Sequence, residues 1–272
     1  MSVQARVQPV ASFEQRQKPM LSARNIRVSY QSAQGPVVAV DNLSLTVERG
    51  EFVSLLGPSG CGKSTLLKVA SGLLRPTKGD MLLDGTPVQG PRRDVGIVFQ
   101  QATLLPWKTV LANVLVPCQA LRLDGAKSRA DANALLKLVG LDGFASRYPG
   151  DLSGGMQQRV GLARSLVHNP SLLLMDEPFA ALDAMTRERM ATELQRIWLQ
   201  ANKSILFITH SIPEAVFLSD RIIVLSDRPG RVIDEIAVHL PRPRNNETMT
   251  NPKFGELCFH LRGLFGSSHA FT

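Results

Sequence analysis

Gly57-Pro58-Ser59-Gly60-Cys61-Gly62-Lys63-Ser64-Thr65 fits the phosphate-binding loop pattern, two glycines with four residues between them followed by Lys and Ser, without a mismatch. Its setting agrees. The apolar run 51–56 before it reads as a buried strand, and 63–71 after it carries helical spacing through Leu66, Leu67 and Ala70. Glycines let such a loop curl so that successive N–H groups point inward at phosphate oxygens. The helix that begins near Lys63 adds its positive dipole end. Lys63 would then face the β- and γ-phosphates as a point charge, and the Ser64 hydroxyl would ligate Mg²⁺. The same dipole and the Lys63 charge predict a Cys61 thiol that favours its thiolate and reacts readily; the competing reading has Cys61 point into the core, inert.

Outward from the loop, strands and helices alternate. Upstream, 21–47 is β-like, with Ile26, Val28 and Tyr30 alternating and then Leu43, Leu45 and Val47, and turns at Gln34-Gly35-Pro36 and Glu48-Arg49-Gly50. Downstream, 81–84 and 95–99 read as strands, and 109–122 and 127–139 as helices. The rhythm resumes with a helix at 155–168, a strand at 172–175, a helix at 183–200, a strand at 205–208, a short helix at 212–218 and a strand at 222–225. Alternation of this kind implies a mainly parallel sheet covered on both faces, with the helical block inserted into it. Leu240-Pro241-Arg242-Pro243-Arg244 reads as a linker, and a weak helix follows at 254–265. Residues 1–20 mix Gln, Arg and Pro without an apolar core and read as a loose extension rather than a signal peptide.

Composition narrows the class. Of 272 residues, 44% are hydrophobic and 20% charged, which excludes a disordered chain. No window supplies the ~18 uninterrupted apolar residues of a membrane-spanning helix. A net charge of +8 suits nucleic acid, an anionic surface or an anionic ligand. However, no block of five or six like charges is present, and two Trp and two Tyr offer little base stacking. Cys61, Cys118 and Cys258 are odd in number and lack metal-ligand spacing, which points to a reducing cytoplasm.

Further chemistry gathers at predicted strand ends. Leu172-Leu173-Leu174-Met175-Asp176-Glu177 is an apolar strand that ends in two carboxylates, and strand tips are where an α/β sheet presents ligand-binding side chains. Asp176 can hold Mg²⁺ through its water shell, and Glu177 can polarise an attacking water as general base. His210 follows the run 204–209 and can orient groups near the γ-phosphate, although a turn role is the plainer reading of a lone His. Gln100 and Gln101 close the strand at 95–99, where a neutral amide can ligate Mg²⁺ or the water.

With these pieces in order, Leu152-Ser153-Gly154-Gly155-Met156-Gln157-Gln158-Arg159 resembles the signature motif of ATP-binding cassette (ABC) ATPases. Tyr30 matches the aromatic position that stacks on adenine, Gln100 the Q-loop, Ala181-Leu182-Asp183 the D-loop and His210 the switch histidine. Met156 departs from the usual Gln, while Ser153, Gly154 and Gly155, the phosphate-facing part, are intact. Val98-Phe99-Gln100-Gln101, Leu105-Pro106-Trp107, Thr209-His210-Ser211-Ile212-Pro213-Glu214-Ala215, Arg228-Pro229-Gly230-Arg231 and the 240–244 segment resemble the branch that imports nitrate, sulfonate, taurine and bicarbonate.

The resemblance implies a P-loop NTPase fold: a RecA-like α/β core with a mainly parallel sheet, an antiparallel β subdomain and an inserted α-helical subdomain. It covers 21–244, with the helical subdomain at about 101–152, leaving 1–20 as extension and 245–272 as tail. It implies ATP and Mg²⁺ as ligands. Glu177, His210 and Gln100 would be catalytic, and Ser64, Gln100 and Asp176 would face the metal. Tyr30, the loop 57–65, Ser153, Gly154, Gly155 and Asp183 would bind nucleotide. Two copies would pack head to tail, each ATP held by one chain's phosphate loop and the other's Ser153. Integral membrane permease subunits would meet the region 100–107 at the cytoplasmic face of the membrane, an external solute-binding protein would serve the same system, and no nucleic acid is expected. A soluble ABC ATPase acting on nucleic acid or ribosomes is the alternative that the +8 charge favours, but a second cassette, a coiled-coil insertion and a basic arm are all missing. A kinase or GTPase on the same loop lacks support from the signature segment and from any Asn-Lys-x-Asp run.

Overall fold

A computed structural model describes residues 18–32, 35–180, 182–201 and 203–265. The expected extension at 1–20 falls almost wholly outside the described residues, as does Ala181 of the expected D-loop. The elements run in order β1 (Leu21–Ser32), β2 (Gly35–Val47), β3 (Phe52–Leu56), α1 (Lys63–Ala70), β4 (Lys78–Leu83), β5 (Thr86–Pro87), β6 (Val95–Val98), α2 (Val110–Val114), α3 (Val116–Ala120), α4 (Gly125–Leu138), α5 (Gly154–Leu166), β7 (Leu172–Asp176), α6 (Ala184–Ala201), β8 (Ser204–Thr209), α7 (Ile212–Leu218), β9 (Arg221–Leu225), β10 (Val232–Ala237), α8 (Asn246–Met249) and α9 (Pro252–Phe265).

Two sheets form. The first, ordered β2-β1-β4-β5, is antiparallel. The second, ordered β10-β9-β3-β8-β7-β6, is parallel except where β10 pairs antiparallel with β9. Its central strands are apolar on both faces because both are covered. Phe52, Leu56, Leu173, Met175, Ile205 and Phe207 face one core, shared with α5, α6, α7 and α9. Their alternates Val53, Leu55, Leu172, Leu174, Leu206 and Ile208 face the other, shared with α1 and the antiparallel sheet. The parallel strands all end on one edge, so the residues after β3, β6, β7, β8 and β9 converge there.

The helix expected over 109–122 is two short helices. Thr109 caps α2 by accepting from the Ala112 N–H (3.2 Å), and α2 stops at Leu115. Pro117, in the first turn of α3, has no N–H to continue the ladder from α2. Asn113, fully buried, pins the preceding turn: its Oδ1 accepts from Leu105 N, and its Nδ2 donates to the carbonyls of Leu105, Lys108 and Thr109. Trp107 on that turn stands 72% exposed.

The 240–244 segment is not a linker. Arg244 is 2% exposed and donates to the carbonyls of Val216, Phe217 and Ser219 at the C-terminal end of α7, and to that of Leu240. A guanidinium there satisfies orphaned carbonyls and meets the negative end of the helix dipole. Burial pulls its pKa down to about 10, so the group stays charged at neutral pH. Arg242 stacks on the Trp198 ring (4.2 Å) and pairs with Asp220 (2.8 Å). Beyond it, Phe254, Cys258, Leu261 and Phe265 of α9 pack into the same core as α7.

Candidate nucleotide site

The loop 57–62 leaves the end of β3 and enters α1, whose N-cap is Gly62 at φ 107°. A side chain at Gly62 would be strained, and its Cβ would lie 2.6 Å from the Ala39 carbonyl oxygen. Lys63 is 5% exposed, and its Nζ donates to the carbonyls of Gly57 (2.7 Å) and Pro58 (2.8 Å). The ammonium is thus held inside the curl of the loop by neutral acceptors, and among the described residues no carboxylate lies within ion-pair distance of it. A cleft of about 430 Å³ opens over this loop, lined by Tyr30, Ala39, Ser59, Gly60, Gly62, Lys63, Ser64, Thr65, Gln100, Glu177 and Arg228. A larger cavity of about 610 Å³ lies between α4, α5 and α6, away from these groups. Arg159 and Arg196 in its walls are spent on carbonyls of residues 138–140 and on Glu193, so size does not mark the chemistry here.

Register brings the strand-end residues together. Asp176 pairs with Ile208 across β7 and β8, and Leu56 with Thr209 across β3 and β8. Ser64 Oγ donates to Asp176 Oδ1 at 3.0 Å. Burial raises the Asp176 carboxyl, while the Ser64 hydrogen bond and the Lys63 charge pull the other way. Hydroxyl, carboxylate and the Gln100 amide are hard oxygen donors of the type Mg²⁺ takes alongside phosphate oxygens. The residues present therefore fit that ion.

Glu177 has φ 43°, a left-handed conformation uncommon for a non-glycine residue, and its N–H donates to Ile208 O at 2.9 Å. Strain of this kind, roughly 1–3 kcal/mol, persists where the surroundings over-determine it, and it gathers at working sites. One carboxylate oxygen, Oε2, lies 3.1 Å from His210 Nδ1. Behind this pair, buried Glu214 accepts from Thr209 Oγ1 (2.6 Å) and lies 3.5 Å from Arg187 Nε. Burial pushes the Glu214 carboxyl up. Arg187 NH2 donates in turn to Leu182 O. At the other wall Tyr30, 38% exposed, places its OH 3.2 Å from Thr65 Oγ1.

Ser153, Gly154, Gly155 and Asp183 do not line this cleft. Ser153 caps α5, its Oγ accepting from Met156 N (3.3 Å), and Asp183 Oδ1 accepts from Thr186 N (2.9 Å) at the start of α6. Those hydrogen bonds hold the Asp183 carboxyl low. The signature helix is joined to the Gln100 segment instead. Gln158 Nε2 donates to Phe99 O (2.9 Å), and Arg164 donates to the carbonyls of Ala102 (2.7 Å) and Thr103 (3.0 Å).

Cys61 corrects the sequence expectation. Its side chain turns into the core of Leu55, Leu66 and Leu225 at 1% exposure, and burial raises its pKa against the pull of Lys63. Only its backbone belongs to the loop. Arg228, Glu214 and Arg187 were not singled out as site residues. The first two stand in stretches marked only by family resemblance, and no spacing in the sequence ties them to the loop.

A phosphate loop, a hydroxyl–carboxylate pair, a strained Glu beside a His and an exposed aromatic around one cleft make a nucleoside triphosphatase site. The family described as "ABC transporter" matches residues 40–180. An ABC transporter ATP-binding protein of Methanocaldococcus jannaschii is 47% identical over 86% of this chain and 88% of its own. The taurine import ATP-binding protein TauB of Rhizobium johnstonii is 45% identical over 92% and 97%, and the nitrate import ATP-binding protein NrtD of Synechococcus elongatus 42% over 84% and 85%. The dimeric structure of the ATP-binding cassette MJ0796 in a post-hydrolysis state with ADP and Pi superposes with a TM-score of 0.74 at 35% identity, covering 82% of this chain and all of that one. The chain belongs to the ABC transporter family and is an ABC-type ATPase with the P-loop cassette fold.

Proposed function

We propose that this chain is the ATP-hydrolysing subunit of an importer for a small anion of the nitrate, sulfonate or taurine type. It would work as a head-to-tail homodimer beneath membrane permease subunits, with an external solute-binding protein in the same system. The observation that carries the catalytic part is the Glu177–His210 pair at the mouth of the cleft over Lys63. The import part rests on the relatives named above. Among the described residues no helix is long and apolar enough to cross a membrane, and on this reading the path for solute is formed by the partner permease subunits.

Lys63 and the loop N–H groups bind the phosphates, and Tyr30 offers its ring to adenine. Mg²⁺, held by Ser64, Asp176 and Gln100, supplies neutralisation of charge on the phosphoryl oxygens when bound. Water attacks the γ-phosphorus as the bond to ADP breaks, and Glu177 takes the proton from that water. His210 fixes the carboxylate by holding one oxygen. Ser153, Gly154 and Gly155, outside the cleft of their own chain, complete the site of a second copy through the α5 N-terminus. Asp183 lies on the same seam. The pinned turn carrying Trp107 would face the permease at the cytoplasmic side of the membrane.

Glu177→Gln keeps the shape and removes the proton acceptor. Hydrolysis should slow by roughly 10²–10⁴-fold, the usual worth of a positioned base, while ATP stays bound. Phosphate release and retained nucleotide, measured on the same sample, test this. Wild-type turnover by Glu177→Gln overturns the base assignment, and recovery of the chain with RNA rather than with a permease overturns the import reading.

A further inference from the structure

The segment Ser226-Asp227-Arg228-Pro229-Gly230-Arg231 has no part in the chemistry above, yet it is built against the phosphate loop. Ser226 N donates to Arg231 O (2.9 Å) and Arg231 N to Ser226 Oγ (3.1 Å), which closes the segment into a compact loop. Gly230 N then donates to Ala39 O (3.0 Å), and Asp41 N donates to Gly230 O (3.1 Å). A Cβ on Gly230 would sit 2.2 Å from the Cys61 carbonyl oxygen. Three backbones, those of this loop, β2 and the phosphate loop, are therefore in direct contact, and the position of residue 228 is fixed relative to the cleft.

The loop's two arginines are spent differently. Arg231 pairs with Asp41, which also takes Arg27 at 2.9 Å. Arg228 has no carboxylate partner among the described residues. Its Nε donates to Val38 O (3.3 Å), and its exposed side chain lines the cleft beside Tyr30 and Gly60. That contact leaves the two terminal guanidinium nitrogens, a planar fork of donors that matches phosphate oxygens. Lys63 is committed to the floor of the loop, so the rim of the cleft carries a second, uncancelled cation.

We propose that Arg228 is a nucleotide-binding residue whose guanidinium pairs with the phosphates that ATP and ADP share. The inference rests on the nucleotide reading of this cleft and adds a rim cation to it. Such a residue sets affinity through charge, so its contribution falls as salt rises.

The test is calorimetric titration of ADP into the full chain at low and at moderate salt. Arg228→Gln should weaken ADP about tenfold at low salt and flatten the salt dependence, and Arg228→Lys should restore part of the loss. Arg231→Gln, which removes a charge already met by Asp41, should stay within about twofold of wild type. Arg228→Gln with wild-type affinity and salt dependence overturns the proposal. So does Arg231→Gln weakening ADP as much as Arg228→Gln, because the loop's architecture would then set the affinity. A wild-type chain that does not bind ADP overturns the nucleotide reading itself.

Discussion

Cys61 and Lys63 stand two residues apart, with Lys63 Nζ 3.9 Å from Cys61 Sγ, yet the two side chains meet different surroundings. The curl of the loop that turns Lys63 inward to the Gly57 and Pro58 carbonyls sends the Cys61 side chain into the core. Proximity in sequence suggested a thiolate activated by the lysine, but burial wins over that attraction. Iodoacetamide should leave Cys61 unmodified in the folded chain under conditions that label it fully in denaturant, as peptide mass spectrometry would read. Rapid labelling that ADP suppresses would return the thiol to the cleft. The phosphate loop itself was legible because its chemistry is carried by spacing and backbone. The φ of Glu177 was not, because the Ile208 carbonyl that holds it belongs to another strand. Arg228 was hidden for a similar reason: only the close approach of Gly230 to Cys61 brings it to the cleft.

Elements with a strong period were readable, and those defined by a distant partner were not. The apolar runs of β3, β7 and β8 have one physical explanation, burial on both faces of a parallel sheet. The segment 240–244 has the Pro-rich composition of a linker, and nothing local reveals that its last arginine caps α7. That cap matters to the site because α7 begins at Ile212, directly after the His210 turn. Arg244→Ala should destabilise the fold by roughly 2–4 kcal/mol, since buried carbonyls lose their donor while part of the cost of burying a charge is recovered. Urea denaturation followed by tryptophan fluorescence would measure the shift, and Trp198, stacked under the neighbouring Arg242, reports from the same region. A change below about 0.5 kcal/mol, the scatter of neutral surface substitutions, would reduce the Arg244 bonds to bystanders.

The described residues hold the cleft over Lys63 and, apart from it, a capped helix N-terminus at Ser153. The reading as a dimer joins them across two copies. In a Glu177→Gln background, Mg-ATP should convert monomer to dimer, and adding Ser153→Arg should abolish that conversion while each chain still binds ATP. Light scattering at high protein concentration, with and without Mg-ATP, separates the outcomes; a dimer that survives Ser153→Arg would place the seam elsewhere. The substitution also removes the cap of α5, a loss of about 1 kcal/mol that leaves the fold intact.

Gln158 and Arg164 hold the 99–103 stretch mainly through its main-chain oxygens at Phe99, Ala102 and Thr103, with one further bond to Thr103 Oγ1. A grip on carbonyls is blind to the letters above it. Thr103 apart, side chains on the surface that leads from there to Trp107 can change without breaking these carbonyl bonds to the signature helix. On the proposed reading, in which the Trp107 turn meets the permease, the chain pairs a fixed engine with an interchangeable coupling: the same cassette would fit a different membrane partner through changed side chains on that turn, its carbonyl anchor kept.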